Sequence, residues 1–176
     1  RRQRWIRERA YIDRFGNAVG IRRGGKPNAR RLLLDAHLDE IGLMITGSQD
    51  GFLRFRPIRG VDPRVLPNQK VEVLTRDRVI PGLVACLPPH VQTAEDQNKA
   101  TPIDELFLDI GMNRQQAKEL VPAGTPAVFD STFTQLKNGF LAGKAMDDRA
   151  GFVALLYAAE LLSDTPLDVD LCLMGS

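Results

Sequence analysis

His37, Asp39 and Glu40 interrupt an apolar run in the stretch LLLDAHLDEIGLMI, residues 32–45. If a strand continues through His37 and Asp39, their side chains share one face, because alternate strand residues point the same way. An imidazole can then bind a metal ion through one ring nitrogen while the acid orients the ring through the other. The alternative is a core histidine with satisfied hydrogen bonds, followed by an aspartate in a turn.

Glu40 directly follows Asp39, and on a continuing strand it should face away from Asp39. A glycosidase needs two carboxyl groups that face each other across the scissile bond, about 5 to 9 Å apart. Adjacent residues of one strand cannot meet that requirement. The Asp39–Glu40 pair is therefore poor support for sugar hydrolysis.

Two further acids, Asp147 and Asp148, lie in the stretch GKAMDDRAG, residues 143–151, at a predicted strand-to-helix junction. An acid at a helix N-terminus is favoured by capping and by the helix dipole. The functional alternative is a carboxylate that bridges two metal ions, with the second acid as its neighbour. The residues alone leave both interpretations open.

The remaining signals for chemistry are weak. His90 follows two prolines in LPPHVQT, which favours a structural or interface role over metal ligation, and it is the only histidine besides His37. The sequence contains no Cys/His zinc motif. It also contains no serine in a nucleophile elbow and no glycine-rich phosphate loop.

Strand and helix patterns at the two ends of the chain predict an α/β domain over residues 1–46 and 135–176. The run ARRLLLDAH lacks alternation, which favours a strand buried on both faces of a parallel sheet, with His37 at its carboxyl end. The stretch DDRAGFVALLYAAELLSD predicts a helix packed on that sheet, with Asp147 or Asp148 as N-cap. The stretch VDLCLMG predicts a last buried strand.

The segment between these ends, residues 47–134, reads as a β-rich insertion that forms a small barrel or sandwich. GFLRFRPI alternates between apolar and basic residues, and several other short apolar runs are separated by proline and glycine. Asn113 and Gln116 predict a capping box on one short helix. Asn138–Gly139 predicts a tight hairpin turn just after this segment.

The composition of the chain bears on which classes of partner it binds. The 176 residues carry a net charge of +2, so nucleic acid is not implied. The arginine-rich start is expected to be the solvated face of an amphipathic helix with Trp5, Ile6 and Ile12 turned inward, rather than a nucleic-acid arm.

Cys86 and Cys172 are expected to be buried free thiols in a reducing cytosol. We expect no membrane association and a cytoplasmic protein, since neither a transmembrane run nor a signal peptide is present.

Six segments, in this order, resemble the glutamyl/deblocking aminopeptidase family: AHLDEIGLMI, DGFLRFRPI, GVDPRVLP, IPGLVACLPPH, LFLDIG and GKAMDDRAG. Members of that family are cytosolic dinuclear metallopeptidases. Some form tetrahedral dodecamers and some carry an endoglucanase label. The resemblance implies an α/β/α peptidase domain, here incomplete, interrupted by a β-barrel-like insertion used in assembly. It also implies a homo-oligomer built from dimers, a dodecamer in some members.

The resemblance also implies roles for three residues. His37 and Asp147 would be metal ligands, with Asp147 bridging both ions, and Asp39 would hold and tune His37 as the catalytic-site acid. The cofactors would be two divalent ions, zinc or cobalt, which lower the pKa of a bridging water and polarise the scissile carbonyl. The substrate would be a peptide that loses its amino-terminal residue.

The chain departs from the family pattern in ways that bear on activity. The family has a Glu-Glu pair, general base and ligand, soon after the position of Gly175–Ser176, and further ligands later. Arg59 and Leu87 stand where the pattern has glycine and lysine. The sequence therefore predicts that this chain alone binds metals weakly or not at all and is inactive.

Two other functions compete with the aminopeptidase reading. One is a non-catalytic truncated relative that keeps the β insertion and acts as an assembly module. The least favoured is a glycan hydrolase. A Glu-Glu pair downstream would favour the enzyme, and a stop codon would favour the module.

Overall fold

The computed structural model describes residues 10–88, 91 and 99–176. The described chain has a mixed α/β fold and divides into two compact units. One unit contains the residues up to Glu40 together with Leu136–Ser176, and the other contains Ile41–Gln135. The described strands are β1 Ala10–Ile12, β2 Ala18–Arg22, β3 Arg30–Ala36, β4 Gly42–Gln49, β5 Phe52–Ile58, β6 Lys70–Leu74, β7 Val79–Ala85, β8 Phe107–Asp109, β9 Pro126–Phe129, β10 Thr134–Gln135, β11 Leu141–Ala142 and β12 Val169–Gly175.

Two α-helices belong to the described residues, α1 Arg114–Leu120 and α2 Met146–Leu161. Helix α1 begins with the predicted capping box. The Gln116 amide donates to Asn113 Oδ1 at 3.0 Å, and the Asn113 amide donates to Gln116 Oε1 at 3.2 Å. In the part of the chain that the structure describes, neither helix is long and apolar enough to cross a bilayer.

The first unit is built on a four-stranded sheet with the order β1-β2-β12-β3. Strand β12 is antiparallel to β2 and parallel to β3, with Gly175 opposite Ala36 at the carboxyl end of the parallel pair. Helix α2 packs on this sheet, as its sequence predicted. The small core between them contains a buried set of Ala159, Leu171 and Leu173, with Leu34, Leu155, Leu162 and Leu167 against it.

The prediction that β3 is buried on both faces is wrong. Leu32 and Leu33 are 46% and 53% exposed. The reason is position, because β3 is the edge strand of the described sheet. An apolar run shows that a strand can be buried, but it does not say what covers the strand.

The second unit is a closed barrel with the strand order β4-β5-β8-β7-β6-β9, which is the barrel alternative of the sequence prediction. Alternation in β5 follows the expected pattern, with Leu53 and Phe55 buried and Arg56 exposed. The barrel interior is the larger of the two cores and is filled mainly by aliphatic side chains together with Phe55.

The tight turn predicted at Asn138–Gly139 is confirmed. Both residues have positive φ, 60° and 77°. The Leu136 amide donates to the Phe140 carbonyl at 2.7 Å across the turn. Strands β10 and β11 flank this turn and form a small two-stranded sheet.

The helix predicted near the amino terminus is wrong where the structure describes it. Ala10–Ile12 is a strand paired with β2, and Ile12 is exposed. The cause is Asp13, whose carboxylate accepts the backbone amides of Phe15 and Asn17 and so folds a turn that helical periodicity does not reveal. Trp5 and Ile6 lie outside the described residues.

Candidate functional site

The candidate site lies where β3 and β12 end side by side. His37 directly follows β3, and Ser176 directly follows β12. The Ser176 amide donates to the Ala36 carbonyl at 3.2 Å, and the Leu38 amide donates to the Ser176 carbonyl at 2.6 Å. These bonds continue the parallel ladder by one step and tie the loop after β3 to the end of β12.

His37 and Asp39 lie in this loop, so the strand on which they were predicted to share a face ends before them, at Ala36. Their side chains meet nevertheless. His37 Nδ1 is 3.1 Å from Asp39 Oδ1, and His37 Nε2 is 3.4 Å from Asp147 Oδ1. The imidazole therefore has one acid at each ring nitrogen.

The two nitrogens differ in their surroundings. His37 Nδ1 is buried and makes no hydrogen bond with any described residue, because its approach to Asp39 has the distance but not the geometry of one. Nε2 faces Asp147, whose side chain is 98% exposed. Of the two ring nitrogens, Nε2 is therefore the one whose position would allow it to share a cation with Asp147.

Asp147 and Asp148 take different roles at the start of α2. Both have non-helical backbone angles, they follow Ala145 in a left-handed conformation, and the peptide bond between them is cis. Asp148 Oδ1 accepts the Gly151 amide at 3.1 Å, which is the contact of a helix N-cap. The two open interpretations of this stretch therefore fall on different residues, with Asp148 as the cap and Asp147 facing His37.

Two glycines allow this close packing. A Cβ on Gly151 would lie 2.2 Å from Asp148 Oδ1. A Cβ on Gly175 would lie 2.7 Å from the Phe152 ring and 2.9 Å from Leu38 Cδ1. Glycine at these positions lets α2 and the loop approach the end of β12.

Two contacts at the site involve residues that the sequence reasoning missed. Lys144 Nζ is 3.4 Å from Glu40 Oε1, and Arg149 Nε donates to the Leu38 carbonyl at 2.9 Å. Both basic residues belong to GKAMDDRAG, so two cations flanking a pair of acids were the available signal. The pairing of Glu40 with Lys144 also argues against a carboxylate pair for sugar hydrolysis.

The residues present fit one side of a metal site. An imidazole nitrogen and a carboxylate that converge suit zinc, cobalt or manganese. Among the described residues, however, no group of three or more His, Cys, Asp or Glu side chains is arranged to hold a metal ion. Catalytic zinc usually has three protein ligands, so His37 and Asp147 by themselves would be an incomplete set. His90 lies outside the described residues.

Comparison with known proteins decides the family. Residues 16–176 match the model of the M42 glutamyl aminopeptidase family. The chain belongs to this family. The M42 match includes both the loop that carries His37 and the start of α2 that carries Asp147. The family named by the resemblance is therefore confirmed.

Curated relatives include the lysyl aminopeptidase of Pyrococcus furiosus, which is 33% identical over 168 residues. That match covers 93% of this chain and 48% of the relative. The chain spans about half the length of the curated relatives it matches.

Solved structures of aminopeptidases and peptidases are also similar to this chain. An aminopeptidase from the archaeon Desulfurococcus kamchatkensis superposes with a TM-score of 0.85 at 39% identity, over 96% of this chain and 46% of that chain. The Pyrococcus horikoshii TET1 peptidase, which can assemble into a tetrahedron or a large octahedral shell, superposes with a TM-score of 0.82 at 34% identity. That match covers 98% of this chain and 52% of the TET1 chain.

Proposed function

We propose that the protein is a metal-dependent aminopeptidase that removes amino-terminal residues from peptides. Its M42 relatives carry aminopeptidase names, and aminopeptidases are hydrolases. The observation that carries the proposal is the position of His37 Nε2, 3.4 Å from Asp147 Oδ1, with Nδ1 against Asp39. This arrangement leaves one ring nitrogen and one exposed carboxylate to share a cation.

In this proposal His37 and Asp147 bind metal, and Asp39 is the acid that orients the imidazole. A proton on Nδ1 pointing at Asp39 leaves the lone pair of Nε2 available as a ligand. Two divalent ions, zinc or cobalt, would supply an acidified water and an electrophile for the scissile carbonyl. Asp147 would bridge them.

The architecture in this proposal is an α/β/α peptidase domain, of which the chain contains a part, interrupted by the barrel as an insertion. Support comes from the order of the elements, because the sheet strands β3 and β12 lie before and after the barrel in the chain. We assign the barrel to assembly of a homo-oligomer from dimers, as far as a dodecamer. The TET1 peptidase assembles into closed shells and supports this assignment.

The 176-residue chain alone is expected to hold metal weakly and to show no turnover. His37 and Asp147 are two ligands, and catalytic zinc usually needs at least three. The second candidate function, a non-catalytic assembly module, is favoured by the same incomplete ligand set. A cytoplasmic location is part of the proposal and is supported by the free thiols of Cys86 and Cys172, which are partly rather than fully buried.

The test is hydrolysis of aminoacyl chromogenic substrates by the full natural protein, with cobalt or zinc added and then removed by a chelator. The proposal expects turnover that the chelator abolishes and the metal restores. Turnover by the isolated 176-residue chain would contradict the incomplete-site claim. Absence of turnover in the full protein, together with intact oligomers, would favour the assembly module.

A further inference from the structure

Two basic residues reach from the start of α2 to the loop that carries His37. Arg149 Nε donates to the Leu38 carbonyl at 2.9 Å, and Lys144 Nζ lies 3.4 Å from Glu40 Oε1. The two contacts fall on either side of Asp39 in the loop. On the helix side they fall on either side of Asp147.

The loop His37–Ile41 contains neither helix nor strand before β4 begins, so side-chain and backbone contacts outside a regular element define its path. The Leu38 amide is bonded to the Ser176 carbonyl, and the Leu38 carbonyl is bonded to Arg149. Both backbone polar groups of the residue between His37 and Asp39 are therefore held. The bond to Arg149 is the one that connects them to the segment carrying Asp147.

The Glu40–Lys144 pair is partly sheltered, with side-chain exposures of 19% and 32%. Exposed ion pairs contribute little to stability. This pair has a second consequence, since it fixes the far end of the loop to the residue three positions before Asp147. The loop is thus attached to the Asp147 segment at two points.

We propose that Arg149 and Lys144 are positioning residues that set the distance between His37 and Asp147 for metal binding. This inference rests on the proposed function, because it assumes that these two residues share a metal. Arg149 acts through the Leu38 carbonyl, and Lys144 acts through the Glu40 carboxylate. Groups that hydrogen-bond directly to a metal ligand typically change metal affinity by about 10- to 100-fold when they are lost. Arg149 and Lys144 act through neighbouring loop residues rather than on the ligands directly, so we expect an effect at the lower end of that range.

Charge alone predicts the opposite result for these substitutions. A lysine or arginine near a cation site repels the cation, so removing its charge should tighten metal binding. If the two residues act by position, removing either one should weaken binding. The sign of the change therefore separates the two explanations.

The experiment measures cobalt(II) binding to the full natural protein by chelator competition, together with the visible absorption spectrum of the bound cobalt. Arg149→Met should weaken affinity by about 10-fold and alter the spectrum. Arg149→Lys should recover most of both, because an ammonium group can also donate to the Leu38 carbonyl. The matched control is Arg114→Met, an exposed arginine at the first residue of α1, which should bind cobalt like the parent.

The ion pair is tested by a charge swap at constant net charge. Lys144→Met should weaken binding, Lys144→Glu should weaken it further by repelling Glu40, and Glu40→Lys with Lys144→Glu should recover it. If Arg149→Met fails to fold, the Lys144 and Glu40 variants alone test whether the basic residues position the loop. Affinities and spectra equal to or tighter than the parent's would overturn the inference while leaving the proposed function intact. A parent protein that binds no cobalt would overturn the proposed function and the inference with it.

Discussion

His37 Nε2 faces Asp147 Oδ1 at 3.4 Å, although the whole barrel unit separates the two residues in the chain. The two residues lie close together because the parallel strands β3 and β12 end side by side, next to the start of α2. Because parallel strands place their carboxyl ends at the same edge of a sheet, functional side chains gather there. The position of each acid relative to the His37 ring predicts what its substitution should do to metal binding, turnover or stability.

In the full natural protein, Asp147→Asn should reduce turnover of an aminoacyl chromogenic substrate by at least about 100-fold. Loss of a metal ligand should lower activity at least as much as loss of a residue that only hydrogen-bonds to a ligand. The fold should be unaffected, because the Asp147 side chain is almost fully exposed. Asp164→Asn, an exposed acid in the same unit, is the matched control. Unchanged turnover in Asp147→Asn would exclude the residue as a ligand.

Asp39→Asn should have a milder and different effect. Asp39 orients His37 in this account, so its loss should weaken metal affinity by about 10- to 100-fold, and excess metal should restore most of the turnover. The measurement is turnover as a function of cobalt concentration. A variant that binds cobalt normally and still fails at saturation would show that Asp39 takes part in the chemistry directly.

Asp148→Ala should destabilise the metal-free protein by about 1 kcal/mol, the typical cost of a lost N-cap. Asp147→Ala should leave the same stability unchanged, since its side chain caps nothing in the structure. Urea unfolding in the presence of a chelator compares the two variants. If Asp147→Ala proved the more destabilising of the two, the assignment of Asp148 as cap and Asp147 as ligand would be reversed.

Asp62 gives a pH-dependent prediction in the barrel unit. Its carboxylate accepts hydrogen bonds from the Arg64 side chain and from the Arg64 backbone amide. These bonds, the side-chain one having the larger effect, lower the pKa of Asp62 to about 2. A lowered pKa means that the unfolded state takes up the proton first. The stabilisation is therefore complete above the ordinary value of 3.8 and is lost as the pH falls toward about 2.

The measurement is the stability difference between the parent and Asp62→Asn, by urea unfolding at a series of pH values. The difference should be constant near neutral pH and shrink between about pH 4 and pH 2. A difference that stays the same down to pH 2 would show that the Arg64 contact does not depend on the Asp62 charge.

Much of the architecture could be predicted from the sequence because the relevant interactions are local. The Asn113 capping box, the Asn138–Gly139 turn and the alternation at Leu53 and Phe55 all depend on residues within a few positions of one another. The strand at Ala10–Ile12 could not be predicted in this way. Its pairing with β2 depends on the Asp13 turn, which overrides the helical spacing of its apolar residues.

The site was predictable in its residue types and less so in its geometry. His37, Asp39 and Asp147 stand out as polar groups beside apolar runs, but the sequence placed His37 and Asp39 on a strand that ends at Ala36. The contact between Arg149 and the Leu38 carbonyl was not predictable, because a backbone acceptor carries no sequence signal. Long-range contacts of this kind require the structure.

The most direct test of the metal claim is X-ray anomalous scattering from crystals of the full natural protein grown with zinc. The account predicts a zinc peak about 2.0 to 2.2 Å from both His37 Nε2 and a carboxylate oxygen of Asp147. It would be contradicted by a structure in which zinc is bound elsewhere, or is absent in excess zinc, while Nε2 and Asp147 remain in direct contact.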